Sequence, residues 1–171
     1  YTHGELVKIA AKWLRTHRAC HVVGTEFNIQ ATSESPDAIG WNGIRCAVVE
    51  CKTSLSDFKA DVKKFFRQCG ISAMGSERWY MAPVGLIPHD ALPSRVGLLE
   101  VCPRGTITAY RGGRRLRGGA RGYHYTQQFH GEERNSAGEA AILVSILRKI
   151  HDEGYCQKRN IHIDKVNLDS I

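Results

Sequence analysis

SPDAIGWNGIRCAVVECKTS, residues 35–54, sets two apolar runs on either side of an Asn-Gly pair. Asn-Gly between alternating apolar residues is the strongest short signal for a two-residue hairpin turn. With Asn42 and Gly43 as that turn, Trp41 pairs with Ile44, Ile39 with Cys46 and Asp37 with Val48. Side chains alternate between the faces of a strand, so Asp37 shares a face with Val48, Glu50 and Lys52, and Glu50 is its diagonal neighbour. The opposite face, at Ala47, Val49 and Cys51, is apolar as well, which is the pattern of a central strand. Charge inside such a strand needs solvent or a partner. Folding alone does not account for Glu50 and Lys52.

Helical signals flank this hairpin. Before it, residues 3–18 carry Leu6, Ile9, Ala10, Trp13 and Leu14 at helical spacing, with Thr2 and Glu5 fitting a capping box. CHVVGTEFNIQ, residues 20–30, is expected as a first strand. After the hairpin, SLSDFKADVKKFFRQC (54–69) is predicted to be a helix with Phe58, Val62, Phe65, Phe66 and Cys69 toward the core. Lys59, Lys63 and Arg67 lie on another of its faces. Strands are expected at SERWYMAPV (76–84), VGLLEVC (96–102) and TITAY (106–110), with a proline-punctuated loop between the first two. A capping box from Ser136 to Glu139 opens a last helix that runs to Gly154.

The order predicts one mixed α/β domain. Residues 1–110 form its core, 111–122 a basic Arg/Gly-rich loop, and 123–171 a C-terminal helical extension packed on the same domain. A chain of 171 residues can bury a substantial core. It has no run of about 18 apolar residues, so no membrane span is expected, and its first residues do not resemble a secretion signal. The six cysteines form no CxxC pair, and a zinc site would require long-range coincidence. Reduced thiols and a cytoplasmic location are expected. The net charge of +7 favours a polyanionic partner. RGGRRLRGGARG, residues 111–122, holds five arginines and five glycines, at Arg111, Arg114, Arg115, Arg117 and Arg121 among the former. Such a segment suits sequence-independent contact with a nucleic-acid backbone. Lys59, Lys63 and Arg67 would form the opposite wall of a groove.

Two converging carboxylates repel unless a cation lies between them, and Mg²⁺ prefers hard oxygen ligands while keeping waters. A lysine beside such an ion can orient an attacking water and offset charge on a phosphate. Pro36-Asp37, twelve residues, then Glu50-Cys51-Lys52 resembles the PD-(D/E)XK nuclease motif. The flanking elements match that superfamily's αβββαβ core over roughly residues 3–85. VVECKTSLSDFKADVKKF and RWYMAPVGLIP…LPSRVGLLEV are similar to segments of the MmcB-like DNA-repair nucleases.

The resemblance implies a restriction-endonuclease-like core with a mixed central sheet, extra strands and a C-terminal helix. It implies a DNA endonuclease using Mg²⁺ or Mn²⁺, with Asp37, Glu50 and the Cys51 carbonyl as metal ligands and Lys52 as catalytic lysine. Glu5, on the first helix, and Glu26, on the first strand, are alternative candidates for an additional catalytic carboxylate. Gln68 resembles a glutamine that some families place near the site. Thr53 and Ser54 are expected to begin the second helix. A homodimer fits cutting of two strands with one site per chain. The alternative is a catalytically silent nucleic-acid-binding module on a nuclease-like fold, acting within a larger complex.

Overall fold

Helix α1 spans His3–Arg18, and its first turn is fixed by the expected capping box, in which Thr2 and Glu5 satisfy each other's backbone N–H groups. Its buried side, Leu6, Val7, Ala10, Ala11, Trp13 and Leu14, lies against a mixed sheet. The strands are β1 (Val22–Thr25), β2 (Ala38–Asn42), β3 (Arg45–Cys51), β4 (Glu77–Pro83), β5 (Val96–Val101), β6 (Ile107–Arg111), β7 (Arg114–Arg115) and β8 (His162–Ile163). Helix α2 is Leu55–Val62 and helix α3 is Ser136–Asp152. The structure, a computed structural model, describes residues 1–27, 34–43, 45–63, 73–93, 95–111, 114–116, 134–152 and 162–163.

Among the described residues the eight strands form one sheet in the order β7-β6-β5-β4-β3-β2-β1-β8. β3, β4 and β5 run parallel, and the other neighbours pair antiparallel. A three-layer arrangement follows from strand alternation. Ala47, Val49, Cys51, Trp79, Met81, Leu99 and Val101 face α1. The other face carries two separate clusters. Ile39, Trp41, Cys46 and Val48 pack with Ile142 and Ile146 of α3, while Tyr80, Ala82 and Leu98 pack with Phe58 of α2. Among the described residues no helix is long and apolar enough to cross a membrane.

Several expectations need correction. The hairpin register differs from that expectation: Trp41 pairs with Cys46 and Ile39 with Val48. Asn42 stays in the ladder opposite Arg45, and its side-chain amide donates to the Arg18 carbonyl at 3.4 Å; Gly43 takes the left-handed conformation, φ +57°. This tether outweighs the local preference for Asn-Gly as the turn. The first strand ends at Thr25, and Glu26 lies beyond it at φ +53°. That kink folds the Phe27 ring back over Gly24, where a Cβ would collide with the ring.

Asn135, rather than Ser136, caps α3 by accepting the Gly138 N–H at 2.8 Å. The Glu139 carboxylate goes instead to the Gly75 N–H and to Arg134. The basic segment starts as structure. β6 pairs antiparallel with β7, and Leu116 packs against the α1-facing core. The expected continuation of α2 through Phe65, Phe66 and Cys69 lies outside the described residues.

Gly97 of β5 faces the Trp79 ring so closely that an added Cβ would fall inside it. Overpacking of this kind costs about 1–3 kcal/mol. Gly97→Ala is therefore expected to lower the thermal midpoint, followed by circular dichroism, by about 2–4 °C per kcal/mol lost.

Candidate functional site

β3 is hydrogen-bonded on both sides, and its C-terminal end gathers the expected metal ligands Asp37, Glu50 and Cys51 and the expected catalytic Lys52. The last ladder pair between β2 and β3 is Ala38–Val49, and one step further Asp37 is level with Glu50. Toward β3, Asp37 does not continue the ladder with its backbone. Its Oδ2 accepts the Cys51 N–H at 2.7 Å, in the place where a strand carbonyl would otherwise accept, and its Oδ1 lies 3.4 Å from His3 Nε2. Extended by one step, the shifted register sets Asp37 opposite Glu50 rather than diagonal to it.

Glu50 is buried, 6% exposed, on the face between the α2 and α3 clusters. Its Oε1 lies 3.9 Å from Arg78 Nη2. Arg78, on β4, is bound by both oxygens of Glu34 and donates to the Met74 carbonyl. Glu34, Arg78 and Glu50 form a polar seam across an otherwise apolar face.

Lys52 extends the parallel ladder past the end of β3, its N–H donating to the Met81 carbonyl at 2.8 Å. Its ammonium is 3.6 Å from Asp57 Oδ2 and 3.7 Å from Asp61 Oδ1. Both carboxylates come from α2. Ser54 caps that helix through the Asp57 N–H, as expected, and Asp57 and Asp61 are one turn apart. Asp61 is 1% exposed and also accepts the Tyr80 hydroxyl at 2.8 Å. The thiol of Cys51, on the reverse face, is pushed well up, by burial first and then by the negative charge of Asp37 and Glu50. Cys20, Cys46, Cys51 and Cys102 are free thiols.

The other sequence candidates are distributed unevenly. Glu5 is exposed and bonded to Thr2, which lowers its pKa through the Thr2 backbone hydrogen bond first. Glu26 is exposed, and its N–H donates to the Asp37 carbonyl at 3.1 Å, which holds Asp37 rather than adding a carboxylate to it. Lys59 and Lys63 are exposed on and just after α2. Arg111, Arg114 and Arg115 lie at the other end of the sheet, beside the N-terminal ends of β4 and β5. Gln68, Arg67, Arg117 and Arg121 lie outside the described residues.

Glu34, Asp61, Arg78, Tyr80 and His3 escape sequence reasoning. For Arg78 a signal existed: a charge inside the apolar run RWYMAP, like Glu50 and Lys52 in theirs. Among the described residues no three His, Cys, Asp or Glu side chains are grouped as a metal site.

A solved structure of a protein of unknown function from Silicibacter pomeroyi is similar to this chain with a TM-score of 0.53 and 20% identity, over 93% of this chain and 99% of that one. The likeness is one of fold. No family model matches the chain, and no curated protein matches it in sequence.

Breaking a buried ion pair by removing one partner costs about 3–5 kcal/mol, whereas a half-exposed pair contributes about 0–1 kcal/mol. Asp61→Ala is therefore expected to destabilise the fold far more than Asp57→Ala in urea unfolding. Equal effects would show that Lys52 does not depend on Asp61 for its burial.

Proposed function

We propose that this chain is a Mg²⁺- or Mn²⁺-dependent DNA endonuclease of the PD-(D/E)XK type, built on a restriction-endonuclease-like core. The observation that carries the reading is the register of β2 against β3, which sets Asp37 level with Glu50, two residues before Lys52. Helix α1, the antiparallel β1-β2-β3 run, α2 and the parallel β4 follow one another in the order that superfamily uses.

Asp37 and Glu50 would hold the metal, and the Cys51 carbonyl, which in a strand points to the same side as the Cys51 N–H, would join them on the Asp37 side. The fit is that of a cation with few protein ligands: one half-buried and one buried carboxylate with a backbone oxygen, the sparse oxygen set that leaves waters on Mg²⁺. When bound, such an ion supplies Lewis-acid stabilisation of a phosphodiester under attack. Lys52 orients the water and offers positive charge to the phosphate oxygens, and Asp57 and Asp61 hold its ammonium in place. Tyr80 fixes Asp61 in turn. Lys59 and Lys63 supply exposed charge on the α2 side.

A second reading has an observation in its favour. Arg78 lies 3.9 Å from Glu50, so a fixed cation already offsets part of that carboxylate's charge, as in a catalytically silent binding module. Cleavage separates the two. Wild type is expected to nick plasmid DNA with Mg²⁺ or Mn²⁺. Asp37→Ala and Lys52→Ala, if folded by circular dichroism, are expected to lose at least about 10²-fold in rate while still binding DNA. Binding that is indifferent to EDTA, with no cutting of plasmid, linear, single-stranded or branched DNA, would favour the silent module.

A further inference from the structure

We propose that the end of the sheet opposite Glu50 and Lys52 is a second docking face, for a nucleic-acid phosphate backbone, and that it binds without metal. The inference rests on the reading above only for the class of partner. Four separate elements deliver arginine to this place: Arg18 ends α1, Arg45 begins β3, Arg111 ends β6 and Arg114 begins β7. Strand alternation sets Arg45 with Ala47 and Val49, and Arg111 with Ala109, on the α1 face; Arg114 pairs with Arg111.

Trp79 joins the group. The Arg18 guanidinium lies 5.2 Å from its ring centroid and 5.0 Å from that of Trp13, and the Arg111 guanidinium lies 5.4 Å from Trp79 on this same face. Among the described residues Glu77 is the one carboxylate on this end of the face, and it is buried against Arg18 at 3.0 Å. Burial raises the Glu77 carboxyl's pKa, while Arg18, Arg111 and Arg45 each act to lower it.

Stacking on indole rings accounts for Arg18 and Arg111 as structural groups. It does not account for Arg45 and Arg114, which are exposed and add like charge to an already positive cluster. Gathered like charges repel, and a polyanion that releases counterions relieves the repulsion. Guanidinium groups match phosphate oxygens in a bidentate way that ammonium groups do not. An anionic membrane is the poorer match. Membrane-surface segments insert apolar side chains, and among the described residues the large exposed apolar ones, Tyr1, Val84, Val144 and Leu147, lie elsewhere.

Arg45 and Cys51 stand at the two ends of β3. Six residues of strand span about 20 Å, the length of roughly six base pairs at 3.4 Å each. One duplex can therefore meet the arginine end without occupying the carboxylate end.

The test is fluorescence anisotropy of a fluorescein-labelled 30-base-pair duplex with the full chain in EDTA, across a salt series. The double variant Arg45→Ala/Arg114→Ala is expected to keep the wild-type melting temperature, to bind at least about fivefold more weakly, and to lower the slope of log K against log salt by about 2. Arg45→Lys/Arg114→Lys is expected to restore most of that slope. Unchanged affinity and slope in the alanine variant would overturn the proposal. So would wild type that ignores the duplex but binds phosphatidylserine vesicles. Because EDTA removes cleavage from the measurement, a docking face that passes in a protein that cuts nothing would stand, and only the nuclease reading would fall.

Discussion

A strand bonded to neighbours on both edges and packed on both faces offers charge no route to water except past its end. β3 is such a strand, and it carries Glu50 and Lys52 close to that end. Taking each of these ions out of water costs several kcal/mol before any partner is found. Much of the polar architecture of the α2/α3 face answers that requirement. Arg78 approaches Glu50 and is itself held by Glu34, while Asp61, locked by Tyr80, and Asp57 hold Lys52. The seam they form divides the apolar core of this face in two, one part under α3 and one under α2. The lysine's two carboxylates both come from the helix that begins three residues after it, so the β3–α2 junction folds the ion pair locally.

How much of this could be read from the sequence follows from the range of the forces involved. α1 is bounded as its periodicity and its Thr2–Glu5 box indicate, because both signals are local. The two faces of the β2–β3 hairpin are also readable, since alternation survives a register shift of two. The register itself is not, because the Asn42 amide is held by a carbonyl 24 residues earlier in the chain. The same applies to α3, where Ser136 and Glu139 form a good local box but Glu139 is drawn away by Gly75 and Arg134. Arg78, Glu34 and Asp61 take their meaning from contacts across the fold. A charged residue in an apolar run was the one trace they left in the sequence, and only Arg78 left it.

The positive excess of the chain is not spread evenly. α1 runs the length of the sheet, with His3 beside Asp37 at one end and Arg18 among the arginines at the other. Its partial positive N-terminus is therefore beside Asp37 and its partial negative C-terminus beside the guanidinium groups. The helix complements the segregation of charge along the sheet and helps make it affordable. The Arg/Gly-rich segment contributes at its start through the antiparallel pairing of β6 with β7.

The bond between the Asp37 carboxylate and the Cys51 amide has a spectroscopic consequence. That amide is the next donor of the ladder, yet it is held by a side-chain carboxylate in place of a strand carbonyl. Any event at the carboxylate changes the strength of a single backbone hydrogen bond at the head of a central strand. The exchange rate and chemical shift of the Cys51 amide proton thus form a built-in reporter of the state of Asp37, readable in the absence of any substrate.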